Sequence, residues 1–192
     1  MPCGRSDLVM DSTWMDMKRM LIEPFGPKIL RAFLPEKYRQ ALLADAYNMS
    51  DDASPILAGQ VNEQLYFYPD EGMMTPFNYA VQEYLGEPRL HSIEPLWVNF
   101  AVAGDWQPVH NHDGDLSLVA FLDVPKGIYE ETEVAGSLYF NYGERIQHNR
   151  NVYGPIKPQV GEFFIFPSWL NHYVYPFVSS GQRISLSGNI YT

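Results

Sequence analysis

Five histidines occur in the sequence, and three of them, His110, His112 and His172, fall at the ends of strand-like segments in the C-terminal half. His110 and His112 lie in Val109-His110-Asn111-His112-Asp113-Gly114-Asp115. In an extended chain, residues two apart point to the same side with Cα atoms about 6.6 Å apart, so both imidazoles can aim at one point. Neutral imidazole suits Fe, Zn, Cu or Ni. Asp113 and Asp115 stand beside the pair as alternative carboxylate ligands. The segment also reads as a polar turn, because Asn and Asp-Gly are turn residues. His172 shifts the balance toward a metal. It follows the apolar run Phe163-Phe164-Ile165-Phe166, which turns at Pro167-Ser168 and presents a histidine to the same region.

Eleven residues past His172 comes Arg183, followed by Ile184 and Ser185. Arg183 and Ser185 share a strand face. A guanidinium fork takes a carboxylate bidentately, and a serine hydroxyl can donate a further bond. An arginine among Ile184, Leu186 and Ile190 is costly unless paired, so it implies an anionic partner, either a bound ligand or an internal Asp or Glu.

The elements that must position these groups change character near residue 90. Upstream, Pro35 opens a helix running to about Asn48. Thr75-Pro76 supplies an N-cap and first-turn proline for a second helix, whose stripe Phe77, Ala80, Val81, Tyr84 and Leu85 ends at Gly86. Residues 1–25 are weakly periodic and read as a strand and turn or a docked arm. Downstream, Leu96–Val102, Leu116–Val124, Leu138–Tyr142, Glu162–Pro167, Tyr173–Val178 and Arg183–Tyr191 read as strands, separated by Gly, Pro, Asn and Asp. Short strands without intervening helices predict a mainly β protein: a two-sheet jelly roll with the N-terminal helices packed on one face. We therefore expect one domain over residues 1–192, with a helical support region over 1–90 and the metal-binding core over 91–192.

Composition narrows the function classes. The net charge of −10 disfavours nucleic acid and anionic membranes as partners. One cysteine, Cys3, rules out a disulfide framework or thiolate cluster and suits a reducing, cytoplasmic location. No apolar run approaches the ~18 residues of a membrane span. Met1–Met10 carries Asp7 and lacks the basic-then-apolar pattern of a secretory signal. His148, in a polar loop, reads as a solvated residue, and His91, after a helix end, as a cap or surface residue.

The ordered set Trp97-x-Asn99, His110-x-His112, Ser117, Gly136-x-Leu138-x-Phe140, Gly161…Phe166-Pro167-Ser168…His172 and Arg183-x-Ser185…Asn189 resembles the Fe(II)- and 2-oxoglutarate-dependent oxygenases. The likeness is to the prolyl-hydroxylase-like branch, and within it to oxygenases common in marine bacteria and phages. It spans roughly residues 95–190. The resemblance implies a double-stranded β-helix (a cupin-like jelly roll) with Fe(II) at its mouth and 2-oxoglutarate as cosubstrate. It implies dioxygen-dependent hydroxylation of an amino acid, peptide or small molecule, with formation of succinate and CO2. His110, His112 and His172 would hold the metal, and Arg183 and Ser185, with Asn99, the cosubstrate. Trp97, Tyr139, Trp169 and Asn189 would line the substrate pocket. A homodimer is one arrangement open to such a protein. The broader superfamily carries His-x-Asp where this chain has His110-x-His112, so Asp113 or Asp115 stays open as a ligand in place of one histidine. Two other readings compete: a cupin-like three-histidine metal enzyme without 2-oxoglutarate, and a non-enzymatic jelly-roll binding module.

Overall fold

Every residue of the strand Glu162–Pro167 is buried. Side chains alternate across a strand, so a strand buried throughout must be covered on both faces. A computed structural model, describing residues 18–24, 26–144 and 151–192, shows the two covers. Phe163 and Ile165 belong to one hydrophobic core, Phe164 and Phe166 to another. Cys3 and His148 lie outside the described residues, as does most of the weakly periodic segment 1–25.

The described strands, in chain order, are β1 (Arg19–Ile22), β2 (Ile29–Phe33), β3 (Glu63–Tyr66), β4 (Ser92–Ala101), β5 (Gln107–His110), β6 (Leu116–Asp123), β7 (Leu138–Asn141), β8 (Val152–Ile156), β9 (Glu162–Pro167), β10 (Asn171–Val174) and β11 (Arg183–Tyr191). They form two antiparallel sheets: a seven-stranded one in the order β1-β2-β9-β6-β11-β4-β3, and a four-stranded one in the order β5-β10-β7-β8. The fold is thus a mainly β sandwich with few helices.

The larger sheet sorts its residues by parity. Leu118 and Ala120 of β6, Ile184 and Leu186 of β11, and Val98 and Phe100 of β4 share a core with the buried residues of two helices, α1 (Glu36–Ala46) and α2 (Thr75–Leu85). Phe77 of α2 meets Phe163 edge-on, with ring centroids 5.2 Å apart. The opposite parity faces the four-stranded sheet. There Phe121, Phe164 and Phe166 pack with Leu138 and Phe140 of β7. Toward β11 and β4 this inner face becomes polar: Arg183, Ser185, Ser187 and Asn189 alternate with the apolar residues of β11 and are all buried.

Several elements differ from the sequence reading. The first 90 residues are not only helical, for β2 pairs with β9 and β3 with β4. These strands are 5 and 4 residues long, too short to show a period. Thr75 is the first helical residue of α2 rather than its cap; a 3-10 turn, Glu71–Met74, precedes it, and Thr75 Oγ1 donates back to Gly72 O. β10 starts at Asn171 and stops before Pro176, which has no N–H to continue a ladder. β5 and β8 are strands additional to those read from the sequence.

Candidate metal and cosubstrate site

β5 and β10 are adjacent and antiparallel, and His110 registers directly against His172. Residues opposite one another in a pair share a sheet face. The two imidazoles therefore meet inside the sandwich, tilted to one another at 51° with ring centroids 4.2 Å apart. His112 follows in the loop after β5. Its N–H donates to Ser168 O at 3.0 Å, which ties that loop to the turn between β9 and β10. Its ring sits 4.9 Å from both of the other histidines, with Nε2 3.1 Å from His172 Nε2. One ligand atom from each of the three histidines lies within 4.8 Å of the others.

Backbone carbonyls set the orientation of two rings. His110 Nδ1 is 2.7 Å from Pro108 O, and His172 Nδ1 is 3.0 Å from Leu170 O. An Nδ1–H donated to a carbonyl leaves the Nε2 lone pair free, the tautomer a metal requires. Burial pushes all three pKa values down: His172 well below its usual value with help from His110 and His112, His112 to about 3 with help from His110, and His110 downward against the opposing hydrogen bond to Pro108 O. The imidazoles are therefore neutral at pH 7 and need lose no proton on binding a metal.

Neither aspartate joins them. Gly114 turns the chain with φ of +87°, and a Cβ there would lie 2.9 Å from Ile190 O. Asp115 N donates to that same carbonyl, and Asp115 Oδ2 accepts from Thr192 N and Oγ1. Asp115 is thereby committed to the end of β11, and Asp113 faces solvent. Among the described residues the cluster is all histidine.

Trp97 of β4 backs His112 at 5.4 Å between ring centroids, and lines the cavity in front of the triad. Gln64, Gln107 and Ser187 line it too, and sequence reasoning singled out none of them. Ser187 was within reach, being two residues past Ser185 on the same face. Gln64 carries no sequence signal, since only pairing brings β3 to the site; Gln107 lies three residues before His110, off its two-residue alternation, and a register shift in the β5–β10 pairing separates the two.

From Ser187 the polar row of β11 runs away from the triad to Ser185 and Arg183, roughly 13 Å for four residues of strand. Arg183 is 2% exposed. Nη1 donates to Gly136 O at 3.0 Å, the guanidinium lies 5.6 Å above the Phe177 ring, and Nε has no partner. No carboxylate among the described residues forms an ion pair with it, so the internal Asp or Glu considered above is absent there. Burial lowers its pKa to about 10 although the Asp105 charge opposes this. Asn99 stands opposite Ser185 in the register of β4 and β11. Its Nδ2 donates to Ser185 O and Oγ and to Ser187 Oγ at 3.3–3.4 Å, and its Oδ1 accepts from Gln64 Nε2 at 2.7 Å.

The other expected pocket residues are dispersed. Tyr139 alternates with the inward-facing Leu138 and Phe140, so it points out of the opposite face of its sheet. There it stacks on Tyr173 at 5.0 Å and is buried by Tyr175. Trp169 is 52% exposed at the β9–β10 turn, against Tyr142. Asn189 is buried on the inner face beyond Ser187, with Oδ1 unpartnered, and does not line the cavity. His91 is remote, lying near Arg89 O and Asn78 Oδ1.

A family model described as "Putative 2OG-Fe(II) oxygenase" matches residues 95–189, the stretch that carries the triad, Arg183 and Ser185. No curated protein matches by sequence. Solved structures share the fold. One is the viral collagen prolyl hydroxylase of Paramecium Bursaria Chlorella virus-1, in complex with 2-oxoglutarate. It is 18% identical with TM-score 0.56, over 90% of this chain and 94% of that one. HygX from Streptomyces hygroscopicus, solved with nickel, 2-oxoglutarate and hygromycin B, is 7% identical with TM-score 0.58, over 85% and 82%. A prolyl hydroxylase from Trichoplax adhaerens, bound to a hypoxia inducible factor peptide fragment, is 12% identical with TM-score 0.54, over 90% and 83%.

Proposed function

We propose that this chain, a member of the 2OG-Fe(II) oxygenase superfamily, holds Fe(II) on His110, His112 and His172 and anchors 2-oxoglutarate on Arg183 and Ser185. Its reaction is then hydroxylation of an amino acid, peptide or small molecule admitted beside Trp97. The observation that carries this reading is a buried guanidinium with no ion-pair partner among the described residues, facing the same sandwich interior as three converging neutral imidazoles.

The donor set fits the metal. Neutral imidazoles suit ferrous iron, and three of them leave its double positive charge to be balanced by a dianionic cosubstrate. Iron with 2-oxoglutarate supplies oxidative decarboxylation to succinate and CO2, coupled to hydroxylation of a C–H bond by dioxygen. The chain's own residues do the positioning. Pro108 O and Leu170 O hold two rings in their ligating tautomer. Arg183, with Nε unpartnered, offers a fork for a terminal carboxylate, and Ser185 a hydroxyl beside it. Trp97 and Phe166 line the cavity beside the triad. The N-terminal helices and strands brace the larger sheet, so that the described residues before and after residue 90 act as one unit.

No described helix is long and apolar enough to cross a membrane. A reducing cytoplasm suits both ferrous iron and the single cysteine. A cupin-like three-histidine enzyme without 2-oxoglutarate would use the triad and leave Arg183 idle.

The test is metal analysis of protein purified without chelator, paired with succinate formation from 2-oxoglutarate. Stoichiometric iron with 2-oxoglutarate turnover is expected. Metal without any binding of 2-oxoglutarate at millimolar concentration would hand the assignment to the cupin-like reading.

A further inference from the structure

Gln64 lies outside the region matched by the family model, on the edge strand β3, yet it is 2% exposed and lines the cavity before the triad. Its amide makes one hydrogen bond, Nε2 to Asn99 Oδ1, while Oε1 is buried without a partner. The direction of this bond is dictated from the far end of the network. Ser185 O is a backbone carbonyl and can only accept. The amide group of Asn99 that faces it must therefore be the NH2, which puts Oδ1 toward β3, where Gln64 Nε2 meets it.

The consequence falls on two hydroxyls. Asn99 Nδ2 donates to Ser185 Oγ at 3.4 Å and Ser187 Oγ at 3.3 Å. A serine hydroxyl has one proton, and one that accepts from Asn99 keeps that proton to donate elsewhere. If the Asn99 amide were turned over, its oxygen would face both serines and take up those protons. Carboxylates only accept hydrogen bonds, so hydroxyl direction decides whether Ser185 can help hold one.

We propose that Gln64 is a positioning residue for the cosubstrate: by donating to Asn99 Oδ1 it keeps the Asn99 amide in the orientation that leaves the Ser185 and Ser187 hydroxyls free to donate to a bound carboxylate. The proposal rests on the reading of Arg183 and Ser185 as the 2-oxoglutarate anchor. Gly59 leaves room for the amide, since a Cβ on it would lie 3.0 Å from Gln64 Nε2.

The experiment measures 2-oxoglutarate affinity by calorimetry on the full chain loaded with Mn(II), alongside Mn(II) affinity itself. Gln64→Met removes the donor. Gln64→Glu replaces it with an acceptor that pulls the Asn99 NH2 toward itself. Both variants should bind Mn(II) as wild type does. Gln64→Met should lose about three- to tenfold in 2-oxoglutarate affinity, the scale of one neutral hydrogen bond, and Gln64→Glu more. The same two changes made in an Asn99→Leu background separate the relay from mere charge or packing. If Gln64 acts through Asn99, Gln64→Met costs nothing further there, and the cost of Gln64→Glu shrinks to its charge repulsion. Wild-type affinity in Gln64→Met, or equal losses in both backgrounds, overturns the relay while leaving the anchor standing. Failure of the wild-type protein to bind 2-oxoglutarate at all overturns both.

Discussion

His110 and His172, 62 residues apart in the chain, are direct cross-strand partners on β5 and β10. The geometry of one antiparallel pair thus sets the spacing of two proposed metal ligands. The third, His112, depends on a loop pinned to the turn that leads into β10. Two consequences follow for the metal. His172→Ala should abolish stoichiometric binding of Fe(II) or Mn(II), measured by metal analysis after dialysis. Asp115→Ala should leave metal content unchanged, because that carboxylate is bonded to Thr192. Loss of metal in the aspartate variant, with metal retained in His112→Ala, would transfer the third ligand to Asp115.

Arg183 combines burial with an unsatisfied Nε, so its removal should affect ligand binding and stability in opposite ways. Arg183→Ala should weaken 2-oxoglutarate binding by about 1.5–3 kcal/mol, roughly ten- to a hundredfold. Arg183→Lys should lose nearly as much, since a point charge cannot form the fork. Arg183→Met, which keeps the apolar stem, should leave the ligand-free protein no less stable in urea, because it removes a desolvated charge that has no ion-pair partner among the described residues. A large drop in the urea midpoint would mean that the guanidinium serves the fold rather than a ligand.

The histidines should make the metal-free protein acid-sensitive. Their folded-state pKa values lie below the usual 6.5, with His112 near 3, so the unfolded chain takes up more protons than the folded one as pH falls. The stability they contribute is fully present above about pH 6.5 and is lost progressively from there toward pH 3. Urea midpoints in EDTA, compared between wild type and a His112→Gln, His172→Gln double variant, isolate this contribution. Identical slopes between pH 7 and pH 4 would show that these rings titrate normally in the folded state.

Tyr139 and Trp97 should separate stability from function. Tyr139 is 7% exposed within the tyrosine stack on the outer face of its sheet. Tyr139→Ala should cost about 3 kcal/mol of stability, the usual scale for truncating a buried aromatic, and leave metal and 2-oxoglutarate affinity intact. Trp97→Ala, beside His112, should impair turnover. Loss of cosubstrate binding in a folded Tyr139→Ala protein would place that ring in the site after all.

Local information sufficed for part of this protein. The alternation in β4, β6 and β11 put Arg183 and Ser185 on one face and made a β sandwich the natural fold, because strand parity is a property of consecutive residues. The two-residue spacing of His110 and His112 likewise pointed both rings to one side. Parity does not say which face is inside when both are apolar. Leu138, Tyr139 and Phe140 could each have faced the core, and only the packing of β7 against Phe164 and Phe166 turned Tyr139 outward. That His112 and not Asp115 faces the other two histidines fell to Gly114 and Ile190 O, a contact 76 residues apart in the chain that no local pattern encodes. The edge strand β3 is too short to declare itself, so Gln64 reached Asn99 only through pairing register. Tertiary structure decided these points because each depends on which distant backbone a side chain meets, and spacing along the chain carries no record of that.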